Sequence, residues 1–150
     1  MIYRHREDIM VCTFFGHRDC YILDESNLRQ AVENLIKSSV STFYVGNQGH
    51  FDSAVLCCLT KLKEVHPHIS YFVVLAYLPN KRTYSKCSIY PEGLELVHPR
   101  FAIEKRNEWM INQADYCLCY VDRKRSGAYK SALKAKRRGL TVINLGNIII

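Results

Sequence analysis

Residues 116–145 read Tyr116-Cys117-Leu118-Cys119-Tyr120-Val121, then Asp122-Arg123-Lys124-Arg125, then Ser126-Gly127 and a run to Arg138, then Gly139 and Leu140 to Leu145. The first run is apolar throughout and short, which predicts a strand covered on both faces. Ser126 is a good helix opener and Gly139 a good helix closer, so the basic stretch between them reads as a helix. A second apolar run follows directly. Strand, helix and strand in this order form a parallel unit with a right-handed crossover, and this unit sets the expectation for the rest of the chain.

The same alternation extends towards the N-terminus. Ile9-Met10-Val11-Cys12-Thr13-Phe14-Phe15 is an apolar run ending at Gly16, followed by a helix from about Ser26 whose Leu28, Ala31, Val32, Leu35 and Ile36 share one face. Thr42-Phe43-Tyr44-Val45 is a second strand. Phe51, Ala54, Val55, Cys58, Leu59 and Leu62 mark a second helix, closed by His66-Pro67. Ile69 to Leu78 is a third strand, stopped by Pro79. Asn80 to His98 reads as an irregular stretch with room for a short helix or an edge strand, and Pro99 opens a helix running to about Ala114. The expectation is a single α/β domain over residues 1–150, Rossmann-like, with about five parallel strands and helices on both faces. Its ligand crevice would lie beyond the carboxyl ends of the strands, at the switch point of the sheet.

The bulk properties narrow the classes. A chain of 150 residues is long enough to bury a core, and 48% hydrophobic against 23% charged residues is ordinary for a globular protein. No apolar run approaches membrane-spanning length, and Met1 to Asp8 has no apolar signal-peptide core, so a cytoplasmic protein without membrane contact is expected. Seven cysteines are an odd number without a disulfide framework, and they read as reduced, buried thiols. Cys117 and Cys119 would share a strand face, but no further pair completes a metal set, so neither a metal nor a cofactor is expected. The net charge of +7 is local: residues 123–138 hold eight Lys/Arg and no acid, leaving thirteen basic against fourteen acidic residues elsewhere. Such a patch attracts phosphate, nucleic acid or an acidic partner, or else is a solvated helix face.

Three loops fall on the predicted crevice. They are Gly16-His17-Arg18-Asp19, then Gly46-Asn47-Gln48-Gly49-His50-Phe51-Asp52, then Asp122-Arg123-Lys124-Arg125-Ser126-Gly127. Glycines admit a phosphate close to the backbone, and helix N-termini present unpaired N–H groups. Arg106 lies on the apolar face of its helix with Ile103, Met110 and Ala114. It reads either as a buried stem that reaches outward or as a clamp for phosphate or ribose. The candidate ligand-binding residues are Gly16, His17, Arg18, Gly46, Asn47, Gly49, Asp52, Arg106, Ser126 and Gly127. His17 and His50 are the two histidines on this edge, and Trp109 reads as packing.

These residues also carry a family resemblance. Phe15-Gly16-His17-Arg18, Gly46-x-x-Gly49-x-Phe51-Asp52, Arg106-Asn107-x-x-Met110-x-x-x-Ala114-Asp115 and Ser126-Gly127 together resemble the YpsA-like branch of the SLOG superfamily, relatives of the Lonely Guy and DprA proteins. The resemblance covers nearly the whole chain. It implies a nucleotide-derived ligand, of the NAD, ADP-ribose or cyclic-nucleotide type, bound across the glycine loops. Relatives carry Gly-Gly-Thr where this chain has Ser126-Gly127-Ala128. The arginine of the Lonely Guy phosphoribohydrolases would fall on Arg106. Their catalytic glutamate follows the glycine loop, where this chain reads Tyr129-Lys130-Ser131 and has no carboxylate.

The resulting expectation is a sensor or sequestering module for a nucleotide-type small molecule, with no catalytic residue assigned. One alternative is a nucleotide N-glycosidase or phosphoribohydrolase working through Asp52, Asp122 or Glu108, each of which also has a plain reading as a surface or first-turn acid. A second alternative is nucleic-acid binding along the basic last helix through Lys130, Lys134, Arg137 and Arg138. The oligomeric state stays open at this point, a homodimer included.

Overall fold

The structure is a computed structural model that describes residues 9–78 and 87–150. Its centre is β1 (Met10–Gly16), buried along almost its whole length and flanked by β2 (Val40–Val45) and β5 (Tyr116–Tyr120). Outside these lie β3 (Ser70–Val74), β4 (Ser88–Ile89) and β6 (Thr141–Asn144), and every neighbouring pair is parallel, in the order β4-β3-β2-β1-β5-β6. The α/β class, the parallel sheet and the helices on both faces are therefore as the sequence predicts. The sixth strand is the two-residue β4, in the segment read as irregular with room for an edge strand; residues 79–86 of that segment lie outside the described residues. The third strand stops at Val74 rather than continuing to Leu78; there the Val74 carbonyl accepts from Arg106 Nη1 at 3.1 Å, and the Leu75 amide makes a last bond to the Ile89 carbonyl at 2.8 Å.

Side chains of the central strands alternate between two cores. Cys12, Phe14, Phe43, Val45, Leu118 and Tyr120 pack under α1 (Glu25–Lys37) and α2 (His50–Val65). Phe15, Val74, Cys117, Cys119 and Val121 face α3 (Ala102–Gln113) and α4 (Gly127–Arg137), with Met110, Ala132 and Ala135 filling that layer. A strand buried on both faces has no polar face to show, which is why its sequence reads as a continuous apolar run. Cys117 and Cys119 do share a face, inside the α3–α4 core, and the neighbouring Cys119 thiol, then burial, hold the Cys117 thiol well above its ordinary range. Of the remaining cysteines expected to be buried, Cys12 and Cys20 are buried, whereas Cys57 on α2 and Cys87 are exposed and Cys58 is half-buried. Trp109 packs edge-on against Tyr44.

The helix ends follow local chemistry. Asp24 caps α1 by accepting from the Ser26 and Asn27 amides at 2.9 and 3.4 Å. Pro99 begins a 3₁₀ turn, Pro99–Phe101, that runs straight into α3. Gly139, at φ +90°, ends α4, and the Leu140 amide reaches back to the Ala135 carbonyl at 3.1 Å. Among the described residues no helix is long and apolar enough to cross a membrane.

Candidate functional site

Because α1 and α2 lie on one face and α3 and α4 on the other, the strand order reverses direction between β1 and β5. A cleft of about 290 Å³ opens there, on the carboxyl edge. Its walls come from all three predicted loops and from α3. Gly16, His17, Arg18, Gly46, Asp52, Arg106, Ser126 and Gly127 all line it. Asn47 and Gly49 do not: Asn47 is exposed with its Oδ1 accepting from Gln48 Nε2 at 3.2 Å, and Gly49 is exposed against the Arg18 backbone.

Arg106 forms the floor. Only 3% of it is exposed. Nη1 donates to the Val74 carbonyl at 3.1 Å and Nε to Asn107 Oδ1 at 2.9 Å, while Nη2 has no hydrogen-bond acceptor among the described residues. The stem does not carry the charge out to solvent; the guanidinium is held over the end of the sheet. Burial lowers its proton affinity and Asp52 opposes that, and a guanidinium stays charged under either influence.

Asp52 faces Arg106 from the first turn of α2. Its Oδ2 accepts from the Gln48 amide at 2.8 Å. Burial pushes the carboxyl up to about 6, against the smaller opposing effects of that amide, Arg106 and Arg18. Asp52 thus holds the first-turn position that the plain reading gives it, and its burial on the cleft wall is what the sequence does not show.

The glycines have distinct roles. A Cβ on Gly16 would stand 2.1 Å from Phe51 Cγ, so this glycine admits the Phe51 ring into the core. Gly49, at φ +105°, lies against the Arg18 backbone, where a Cβ would come within 2.5 Å of Arg18 Cα, and His50 N donates to Arg18 O at 2.8 Å. These two hold the first and second loops together. Gly46 keeps open the space between Asp52 and Arg106. Gly127 is different again: a Cβ there would meet nothing within 4 Å.

Ser126 caps α4, its Oγ accepting from the Tyr129 amide at 3.1 Å, and its carbonyl takes the Lys130 amide at 3.1 Å. Its hydroxyl is thus committed to the helix. The amides of Gly127 and Ala128 stay as donors at the cleft mouth, where the positive end of the helix dipole also points.

On the opposite wall His17 is buried. Its Nε2 accepts from the Asp122 amide at 3.2 Å and stands 2.9 Å from Asp122 Oδ1. That Oδ1 is buried without a hydrogen bond. Burial, and then the Arg123 charge, pull the imidazole below its ordinary value, so His17 is neutral near pH 7. Arg123 pairs with Asp19 at 2.7 Å, linking the first and third loops across the cleft. His50 lies outside the cleft and packs against Tyr21, with ring centroids 4.8 Å apart and the ring planes tilted by 60°.

Of the other two carboxylates, Asp122 stands against His17 and Glu108 lies outside the cleft. Glu108 binds Lys134 at 2.9 Å and Lys105 at 3.3 Å on the outer surface of α3, and both hold it below the usual carboxylate range. The basic stretch is partly committed within the protein: Lys134 to Glu108, Arg138 to Asn112, Lys136 to the Ile150 carbonyl and Arg123 to Asp19.

Two supporting residues are not among the candidate site residues, Asn107 entering only as part of the Arg106 motif. Asn107 relays between Arg106 and Ser131 Oγ, to which its Nδ2 donates at 3.2 Å. Asn144 joins β6 to the exit of β5: its Oδ1 accepts the Val121 and Gly146 amides, each at 2.9 Å, and its Nδ2 donates to the Val121 and Ile148 carbonyls at 3.0 and 2.8 Å. A polar residue interrupting the apolar run from Leu140 to Leu145 was the available signal. No known protein family matches the chain, and no curated protein is significantly similar to it.

Proposed function

We propose that the protein binds a nucleotide-derived small molecule in this cleft, as a sensor or sequestering module of the SLOG type. The observation that carries the reading is the floor: a guanidinium almost wholly removed from water, with an uncommitted Nη2, facing a buried carboxyl across Gly46. A buried cation without a direct ion-pair partner is costly unless something anionic or polar completes it. A ribose fits both neighbours, since a hydroxyl donates to Asp52 and a sugar or phosphate oxygen accepts from Arg106. A phosphate at the mouth would receive the Gly127 and Ala128 amides, with Arg18 on the facing wall.

The test is a thermal-shift and calorimetry series with AMP, ADP-ribose, NAD and a cyclic nucleotide, on the wild type and Gly127→Asp. Ligand at about a hundred times its Kd adds about 2.7 kcal/mol of stability. An acid at the start of α4 favours the helix dipole and meets open space, so Gly127→Asp folds, yet it repels phosphate. Saturable binding that this variant loses supports the reading; no binding by the wild type, or binding unchanged in the variant, overturns it.

Asp52 favours one second reading. A carboxyl that titrates at about 6 is suited to giving or taking a proton near neutral pH, and it lines the same cleft. In a nucleotide N-glycosidase it would activate the water that attacks the sugar. Release of free base from a nucleotide, abolished by Asp52→Asn with binding retained, selects this reading; a ligand recovered intact after prolonged incubation removes it.

A further inference from the structure

The cleft does not end at α4. On the far side of Gly127 a second hollow, of about 320 Å³, runs between α3 and α4, and the two hollows share Ile103, Asn107 and Gly127 as common walls. At Gly127 no side chain divides them, and the space where a Cβ would stand is open. Asn107 forms the other bank. It accepts from Arg106 Nε and donates to the buried Ser131 Oγ, so one chain of hydrogen bonds runs beneath the junction from one floor to the other.

The charges of the second hollow divide into committed and uncommitted groups. Lys134 is held by Glu108. Arg100 and Lys130, both exposed on the rim, have no ion-pair partner among the described residues, and neither does the exposed Glu104, so the uncommitted charge of this hollow is two cations against one anion. Each hollow is at the small end of the range of ligand pockets, with room for one sugar-bearing unit rather than a whole dinucleotide. The junction between them is the place where the α4 amides point outward.

We propose that the α3–α4 hollow is a second subsite, and that the ligand has two sugar-bearing halves joined through phosphate. One half lies over Arg106, the linker crosses at Gly127, and the other half lies between Arg100 and Lys130. This rests on the binding reading above and names the ligand class: two halves joined by a diphosphate or by a phosphodiester. A mononucleotide would fill the first hollow alone.

The experiment is isothermal calorimetry of AMP, ADP-ribose and the linear dinucleotide pApA against the wild type, Lys130→Gln and Arg100→Gln. Both side chains are exposed, so these variants keep the fold, and neither sets a new acid against the phosphate at the start of α4. The expected result is that ADP-ribose or pApA binds at least about tenfold more tightly than AMP, and that Lys130→Gln removes most of this gain while changing AMP affinity less than about twofold. Whichever of the two long ligands gains identifies the linker. Equal affinity for AMP and both long ligands overturns the second subsite while leaving the cleft reading intact. So does a gain that survives both substitutions. Failure of all three ligands to bind the wild type overturns both.

Discussion

Asp52 and Arg106 flank Gly46 without touching. One comes from the α1–α2 layer and the other from the α3–α4 layer, and Asp52 Oδ2 and Arg106 Nη1 each stand 2.8 Å from where a Cβ on Gly46 would be. No direct ion pair joins them. The glycine therefore keeps a gap at the sheet edge that is bracketed by an acid and a base, and neither can retreat, since Asp52 holds the Gln48 amide and Arg106 the Val74 carbonyl.

Gly46→Ala fills that gap. The added methyl would meet both groups inside van der Waals contact, an overpacking that costs about 1–3 kcal/mol. Urea denaturation should show this loss, with nucleotide affinity falling in parallel. Gly127→Ala is the contrast: its methyl meets nothing and a helical position gains from replacing glycine, so stability should hold or rise by about 0.5–1 kcal/mol. Equal effects at the two positions would contradict the assignment of the gap.

The Asp52 carboxyl gives a pH signature. Its folded value of about 6 lies above the ordinary 3.8, so the unfolded chain loses this proton first as pH rises. The fold is then progressively penalised between about pH 4 and 6, and carries the full penalty above that window. His17 acts in the opposite sense, because its folded value is depressed: its contribution is present above the ordinary histidine value and is lost as pH falls below it. Wild-type stability measured against Asp52→Asn isolates the first effect. The difference should move against the wild type as pH rises from 4 to 6 and be flat above; a slope of the opposite sign would mean a carboxyl stabilised by Arg106 rather than penalised by burial.

Much of this site was legible in the sequence because strand order is written in alternation. Apolar runs that end in glycine or in charged loops put three loops on one edge, and the spacing of Ile103, Arg106 and Met110 put the arginine on the inner face of its helix. What the sequence could not separate was the purpose of each glycine. Gly16 and Gly49 look like phosphate-turn residues, yet they exist to seat Phe51 and the Arg18 backbone, while Gly46 and Gly127 are the ones beside usable space. That distinction depends on residues far apart in the chain. The same holds for Asp52, whose burial is created by contacts across the sheet edge and leaves no local trace.

Ser39 offers a test of backbone strain away from the site. It follows α1 at φ +73°, a left-handed conformation in which its Cβ crowds the neighbouring carbonyl at a cost of about 1–2 kcal/mol. Ser39→Gly relieves the crowding but adds freedom to the unfolded chain, so the expected net gain is smaller, up to about 1 kcal/mol. Denaturation midpoints should rise, with ligand affinity unchanged. A fall in stability would mean that the serine side chain supports this turn.

Asn144→Asp tests whether the loop that follows β5 is positioned from β6. The aspartate keeps two acceptor oxygens of the same shape, so the Val121 and Gly146 amides retain a partner. It loses the Nδ2 donor and sets an oxygen against the Val121 and Ile148 carbonyls instead. Two carbonyls left unpaired and facing a like-signed atom should cost at least about 2 kcal/mol, since each unsatisfied group alone costs roughly 1–3 kcal/mol. Val121 immediately precedes Asp122 and Arg123, so the strain should pass into the cleft wall that carries the His17 contact and the Arg123–Asp19 bridge. The expected outcome is a lowered Tm together with weaker nucleotide binding, both recovering as pH falls and the new carboxyl takes up a proton that it can donate. A variant equally destabilised at every pH would show that the carboxyl never regains a donor role, and that Asn144 acts through shape rather than through its amide.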